Sequence, residues 1–365
     1  MPPRPVDRGV HAARATALAA VDESWNVGAN RGVRRASRMI LVTGGAGYIG
    51  SHAVLELRRS GHPVVIFDDL KEGHRAAALG TPLVQGDLCD RDLLIDTIRR
   101  NKVEAVMHFA ARCYVGESVT QPAKYIRDNA RGLFELLEAM RACEVKRIVF
   151  SSTCAVYGVP ARVPITEEFP RQPISPYGIT KRFCEEELEM YCRAYGFAVV
   201  APRYFNAAGA DPEGRLGEWH EPETHLIPAV LRSILSGGAK PLEVFGTDYP
   251  TPDGTCIRDY VHVADLATAH RLALGVMKPG VFEPVNLGSG RGNSVLEVIA
   301  AARKVTGAEV PYLVKPRREG DPPALVGGVD KAKRWLGWTA RHVDIEETVR
   351  HAWNWLAAHP RGYAS

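Results

Sequence analysis

The chain has 365 residues, 45% apolar and 24% charged, an ordinary globular composition with enough length for one large or two smaller folded units. Its net charge of +4 arises within residues 1–38, which hold seven Arg, no Lys and three acids; the remainder balances 39 basic against 39 acidic residues, so global charge lends no support to a nucleic-acid partner. No apolar run approaches the roughly 18 residues of a membrane span, and the seven scattered cysteines show no Cys-x-x-Cys or Cys/His ligand spacing, so the expectation is a cytoplasmic protein with reduced thiols, no membrane and no metal.

Residues 1–38 lack the apolar core of a signal peptide, and Asp7, Asp22 and Glu23 argue against an organelle transit sequence. This stretch is expected to be a disordered or non-native tail, with Met39 as an alternative start. The first element is the apolar run Met39–Thr43, followed by Gly44-Gly45-Ala46-Gly47-Tyr48-Ile49-Gly50 and a helical pattern through Arg59. A glycine-rich turn between strand and helix lets backbone approach a pyrophosphate, whose charge is favoured at the helix N-terminus. A second strand over 63–67 ends at Asp68, 18 residues after Gly50, where an acid should meet the adenosine ribose.

Strands over 82–85, 104–110 and 146–152 alternate with helices over 91–100 and 123–143, which implies an α/β fold with a Rossmann-type doubly wound parallel sheet. Ligands in such sheets lie at the carboxyl ends of strands, where Asp87, Ala110, Ala111, Ser151 and Thr153 fall. Ser175-Pro176 opens a further helix, with Ser as cap and Pro at the first helical position. On that helix Tyr177 and Lys181 are four residues apart and share a face. A phenol with its ordinary pKa of roughly 10 is a poor base at neutral pH, and a neighbouring ammonium would lower that value. After a strand over 198–203 the texture loosens, with helices expected near 227–235, 263–276, 294–304 and 345–356. The expected division is residues 39–206 as a dinucleotide-binding domain and 207–365 as a smaller α/β C-terminal substrate lobe, with some segments returning to the first. Arg258 and Arg318 in that lobe suit a diphosphate if they converge, and surface pairing with Asp259 and Glu319 is the plainer alternative.

The segments TGGAGYIGSH (43–52), HFAARCYVGES (108–118), SSTCAVYG (151–158), SPYGITK (175–181), RYFNAAGADPEGRLGE (203–218), FGTDYPTPDGTCIRDYVHVADLA (245–267), NLGSGRGNSV (286–295) and PRREGDPPA (316–324) together resemble the extended short-chain dehydrogenase/reductase group, and closely the UDP-galactose (UDP-glucose) 4-epimerases. The resemblance implies NAD contacts from Gly44, Gly47, Tyr48, Ile49, Asp68, Asp87, Leu88, Phe109, Ala110, Asn129, Tyr177, Lys181 and Tyr204. To these the glycine motif and the strand ends add Gly50, Ala111 and Ser151. It further implies catalysis by Thr153, Tyr177 and Lys181, and UDP-sugar contacts from Asn206, Leu226, Phe245, Arg258, Arg318 and Asp321. Thr153 would hydrogen-bond the same sugar oxygen that Tyr177 deprotonates.

Some positions depart from the family's pattern. Cys113 stands where many relatives carry Lys, Asp69 replaces a common Asn, and His225 replaces a common Asn near the substrate. Leu325 stands where family members differ in side-chain bulk. A homodimer through the helices near 123–143 and 177–195 is a further implication. Alternative sugars are UDP-arabinose/UDP-xylose and UDP-N-acetylhexosamines. A nucleotide-sugar 4,6-dehydratase would need an acid pair where Cys154 and Ala155 stand, and a net dehydrogenase or a non-catalytic dinucleotide sensor complete the alternatives.

Overall fold

The computed structural model describes residues 39–318 and 320–363. The expected tail of residues 1–38 and the pairing considered for Glu319 lie outside the described residues. In chain order the first elements are β1 (Met39–Thr43), α1 (Tyr48–Arg59), β2 (Val64–Asp68), β3 (Leu83–Gln85), α2 (Arg91–Arg100) and β4 (Val103–His108). Next come α3 (Val115–Thr120), α4 (Pro122–Tyr125), α5 (Gly132–Ala142), β5 (Arg147–Phe150), β6 (Ser152–Thr153), α6 (Pro176–Tyr195), β7 (Ala198–Tyr204) and β8 (Asn206–Ala208). The rest comprises α7 (Leu226–Leu235), β9 (Leu242–Phe245), β10 (Ile257–Arg258), β11 (Tyr260–His262), α8 (Val263–Val276), β12 (Phe282–Leu287), β13 (Asn293–Ser294), α9 (Val295–Thr306), β14 (Tyr312–Lys315), β15 (Ala324–Leu325) and α10 (Ile345–Ala358).

The main sheet has the order β12-β7-β5-β4-β1-β2-β3, with β6 also paired to β7, and every pairing in it is parallel. Its strands are apolar at successive positions because each face is covered by helices. On β1, Ile40 and Val42 enter one core with Val54 and Leu57 of α1 and Leu266 and Ala273 of α8, while Leu41 enters the other with Leu133 and Leu137 of α5 and Leu188 of α6. The strand order reverses between β1 and β4, and a crevice opens at their carboxyl ends. A separate core of Val230, Leu231, Val244, Val298 and Leu356 joins α7, α9 and α10 to β9. Three short sheets, β13-β10-β15, β11-β8 and β14-β9, complete the fold. From beyond residue 206, β12 pairs with β7 in the main sheet and α8 packs against α1.

The helix expected over 123–143 is interrupted. A π-turn over Ile126–Arg131 separates α4 from α5 and carries Asn129, whose amide nitrogen donates to Arg112 O (3.1 Å) and Thr180 Oγ1 (3.2 Å) while its oxygen accepts from Arg112 N (2.7 Å). These bonds hold a buried amide away from the regular helical register. By contrast, α6 starts as its sequence dictates. Ser175 accepts from Gly178 N at 3.1 Å, Pro176 occupies the first position, and Gly196 ends the helix in the left-handed conformation.

Helix α6 is locked onto β7 by a fully buried carboxylate. Glu185 accepts from Arg203 Nε (2.8 Å) and Nη2 (2.6 Å), Ser152 Oγ (2.6 Å) and Arg171 Nη1 (3.1 Å). Removing one partner of a buried pair strands the other charge, whereas replacing both with apolar groups of similar size costs far less. Glu185→Gln should therefore lose about 3–5 kcal/mol of unfolding free energy, and Glu185→Leu with Arg203→Met should lose less than Glu185→Leu alone, both read from urea-unfolding midpoints.

Candidate active site

The turn after β1 is built for close approach of backbone. Gly44 has φ +71°, and a Cβ there would lie 2.4 Å from Ala110 N; a Cβ on Gly50 would lie 2.1 Å from Gly44 O. These two glycines let the turn sit against the end of β4 and let α1 pack against the turn. Gly47 differs, because a Cβ there would meet only Gly44 O, at 3.4 Å. At the start of α1 no side chain caps the helix and no acid occupies the first turn, which leaves a positive helix end facing the crevice. Asp68 ends β2, buried, with Oδ2 accepting from Ala46 N and Oδ1 from Leu70 N, both at 2.9 Å. Burial pushes its carboxyl above the usual range while these two bonds pull it back. A bare α1 N-terminus, a wall-free Gly47 and a carboxylate one strand over are the features that a dinucleotide's pyrophosphate and ribose require, so the residues fit NAD.

The other expected cofactor residues surround this turn. Asp87, at the end of β3, is exposed and pairs with Lys71 at 3.0 Å, and the backbone bond from Cys89 N holds its carboxyl low. Leu88 is buried against α5. Phe109 N and Ala110 N both donate to Thr43 O, at 2.8 and 3.1 Å, which brings Phe109, Ala110 and Ala111 over the crevice from β4. Ile49 is half-buried on α1. The Tyr48 hydroxyl is engaged elsewhere, donating to Gly209 O at 2.7 Å, so its backbone is the part left to face a ligand. Asn129 has both amide hydrogens committed to Arg112 O and Thr180 Oγ1.

Thr153, Tyr177 and Lys181 converge beyond β5. The Thr153 hydroxyl lies beside the Tyr177 phenol and accepts from Ala155 N at 3.2 Å. Lys181 Nζ donates to Ser151 O at 2.8 Å and lies 4.8 Å from the centre of the Phe150 ring, while Ser151 Oγ and the Tyr204 hydroxyl are 2.5 Å apart. All three side chains are buried.

Burial reverses one expectation. The Tyr177 phenol is pushed well above its ordinary pKa, chiefly by loss of water and then by Tyr204 and Cys113; the neighbouring Thr153 hydroxyl works in the opposite direction. Lys181 does not bring it down, since its ammonium is committed to the Ser151 carbonyl and burial lowers its own pKa. Neighbouring Cys113 is pushed up to about 12 by burial, so it is a neutral thiol where a Lys was the alternative.

Of the residues expected on the substrate side, Asn206 opens β8 and its N–H donates to Asp259 O at 2.9 Å; His225 is the N-cap residue of α7 and Leu226 its first residue. Arg258 pairs with Asp321 at 2.5 Å, not with Asp259, whose carboxylate instead accepts from Ser289 N, Ser289 Oγ, Gly290 N and Gly327 N at 2.7–3.1 Å. Asp321 N donates to Arg318 O at 3.2 Å, so Arg318 and Asp321 share one turn beside Arg258; the Arg318 guanidinium lies 4.0 Å above the Phe245 ring. Leu325 pairs with Arg258 across β15 and β10 and packs on Cys154, Val156, Tyr157, Ile165 and Phe205. Asp321 thus links the two arginines, pairing with the Arg258 side chain and sharing a turn with Arg318.

Glu185 is a structural hub that sequence reading passed over, as is the grouping of Glu218, His220 and Glu223 with His225 before α7; Asp259, read from sequence as a surface partner of Arg258, is a second hub. Their only linear signal is an acid inside a helix or loop that a surface role would explain equally well.

Among the described residues, no helix is long and apolar enough to cross a membrane. Residues 40–288 match the NAD dependent epimerase/dehydratase family. The chain is 49% identical over 328 residues to a UDP-glucose 4-epimerase of Halalkalibacterium halodurans, covering 89% of this chain and 98% of that one. Among solved structures it resembles UDP-glucose 4-epimerase from Brucella ovis in complex with NAD, with a TM-score of 0.83 and 46% identity over 87% of this chain and 98% of that one. It also resembles the Bifidobacterium longum UDP-glucose 4-epimerase in complex with NAD+ and UDP, with a TM-score of 0.84 and 37% identity over 89% of this chain and 100% of that one. The glycine turn at the reversal of a parallel sheet, the Thr153–Tyr177–Lys181 group beside it and these matches agree that the chain belongs to the NAD-dependent epimerase/dehydratase family.

Proposed function

We propose that the protein is a UDP-glucose 4-epimerase that interconverts UDP-galactose and UDP-glucose. The observation that carries this reading is the buried placement of Thr153 beside Tyr177 at the carboxyl end of the sheet, followed by Cys154 and Ala155 where a dehydratase needs an acid pair. The relatives at 45–49% identity carry the same activity in their names.

Inverting C4 of a hexose needs a route other than proton exchange, because that hydrogen is not acidic in the parent sugar. NAD bound at the glycine turn supplies a reversible hydride acceptor at C4 and a positive charge near the phenol, so no net redox partner is needed. Tyr177 Oη takes the proton from O4 and later returns it, acting as general base and then acid. Thr153 donates to the same oxygen site and supports the phenolate. Lys181, held by Ser151 O, fixes the wall against which Tyr177 stands. Arg258 and Arg318 clamp the diphosphate, with Asp321 aiming Arg258, and Asn206, Leu226 and Phe245 flank the nucleotide. Holding the diphosphate firmly and the sugar loosely lets the oxidised ring present its other face. Residues 39–206 then form the cofactor side and most of 207–365 the sugar-nucleotide side. His225 and Leu325 border the sugar and set how much bulk at C2 the pocket takes.

An exposed apolar face supports pairing with a second copy. Val119, Ile126, Phe134, Ile179, Phe183 and Met190, 42–63% exposed, stand on α3, the π-turn, α5 and α6. An apolar face of this extent on adjacent helices fits a homodimer interface.

Purified protein given UDP-galactose without added NAD should yield UDP-glucose with no accumulation of NADH; stoichiometric NADH with an oxidised sugar would overturn the reading. UDP-N-acetylgalactosamine and UDP-xylose run in parallel report the pocket's tolerance at Leu325. Tyr177→Phe should lower kcat by about 10²–10⁴-fold with cofactor still bound. Tyr177 acts as a base, so kcat/KM rises with pH through its pKa. Since Thr153 beside the phenol lowers that pKa, Thr153→Ala should move the acidic limb to higher pH, as a stopped-assay pH profile would read. Light scattering should give twice the chain mass, and Phe183→Glu should reduce it to one.

A further inference from the structure

The segment before α7 carries Glu218, His220, Glu223 and His225, a Glu-x-His-x-x-Glu-x-His order with no cysteine. Folding brings one ligand atom from each within 4.8 Å of all the others. The side chains of Glu218, His220 and Glu223 are 6%, 10% and 4% exposed. Within the group, one side-chain hydrogen bond forms, His225 Nδ1 with Glu218 Oε1 at 2.6 Å, and Glu223 Oε1 accepts from the backbone of Thr224 and His225. His220 Nδ1 and Glu223 Oε2 are buried without a hydrogen-bond partner, although they face each other at 3.8 Å and His220 Nδ1 stands 3.4 Å from Glu218 Oε1. Two orphaned buried ligand atoms pointing at one space are costly unless something occupies it.

The spacings identify the occupant. A tetrahedral zinc ion with bonds of about 2.0–2.2 Å sets its ligands roughly 3.3–3.6 Å apart. His220 Nδ1 lies 3.4 Å from Glu218 Oε1 and 3.8 Å from Glu223 Oε2, and His225 Nδ1 lies 3.8 Å from the other Glu223 oxygen, Oε1, spacings that small side-chain movements bring to that edge length. We propose that Glu218, His220, Glu223 and His225 bind one divalent transition-metal ion of the zinc class. Entry of the ion releases the proton shared by His225 and Glu218 to solvent and opens their 2.6 Å contact to ligand spacing. The rings of Tyr48 and Tyr114 stand edge-on to His220, with centroids at 6.4 and 5.8 Å, and hold its orientation. Arg232 closes the outer side, donating to His220 O at 2.9 Å with its Nη2 3.9 Å from Glu223 Oε2. The ion would cross-link the turn to the N-cap of α7 and fix the imidazole of His225.

A second group, His342, Glu347 and His351, is a control for specificity. There the facing nitrogens are already bonded, His342 to Glu347 and His351 to His262, each at 3.0 Å, so no orphaned atom calls for an ion.

This proposal rests on the geometry of the turn and not on the epimerase reading, and its test does not use activity. Full-length protein stripped with a chelator and dialysed is titrated with Zn²⁺ against a chromophoric competitor. One tightly held ion per chain is expected, with affinity falling by more than the roughly 10–100-fold cost of losing an outer-shell partner in His220→Gln and in Glu223→Gln, and unchanged in His342→Gln/His351→Gln. Wild-type crystals grown with Zn²⁺ should show an anomalous peak at the zinc edge among the four side chains, which tests the site even where a variant fails to fold. No bound ion, or a peak at His342 and His351 alone, would overturn the proposal.

Discussion

Glu185 lies one helical turn beyond Lys181, and its carboxylate, wholly removed from water, holds four donors from Arg203, Ser152 and Arg171. Such a charge is tolerable only because every lone-pair direction is used and the guanidinium meets it in a bidentate fork. The consequence reaches the chemistry directly. Ser152 and Arg203 belong to β6 and β7, so the same carboxylate that anchors α6 sets the helix in register against Ser151 and Thr153. Tyr157 extends the lock, accepting from Arg203 Nη1 at 3.0 Å and donating to Asn286 Oδ1 at 2.7 Å, which carries it into β12. From the other side, the buried Asn129 amide ties Thr180 of α6 to the backbone after β4. The phenol and the ammonium are therefore placed by bonds made by their neighbours, not by each other.

Water exclusion governs how those two groups titrate. Burial raises the Tyr177 phenol and lowers the Lys181 amine, each toward its neutral form. His108 behaves likewise, held at a pKa of about 3 by burial while its Nδ1 meets Thr43 Oγ1 at 2.7 Å. A buried phenol in a dry crevice depends on incoming charge and hydrogen bonds to become reactive, which is the condition under which fixed polar groups such as Thr153 have most effect.

On the sugar-nucleotide side a second buried carboxylate plays a similar part. Asp259 gathers the backbone of 289–290 and of Gly327, loops far apart in the chain, and so frees Arg258 to turn toward Asp321. One acid organises the loops while the preceding arginine pairs with Asp321.

Much of this was legible in the linear chain, because the relevant physics is local. The run of 91–100 forms its helix behind the cap Asp90, the 263–276 helix has the expected ends, and Ser175-Pro176 starts α6 as capping chemistry requires. The glycine spacing of 44–50 marks the turn, and the four-residue offset of Tyr177 and Lys181 places both on one face. What spacing could not express is which distant group a side chain meets and how much water it loses. The π-turn at 126–131 exists because Asn129 bonds to Arg112 and Thr180; Arg258 chooses Asp321 over its neighbour Asp259; and Tyr177 titrates high because loss of water outweighs the opposing effect of Thr153. Each of these outcomes is set by partners and by dielectric, which arise only when remote segments close around the residue, so tertiary structure alone decided them.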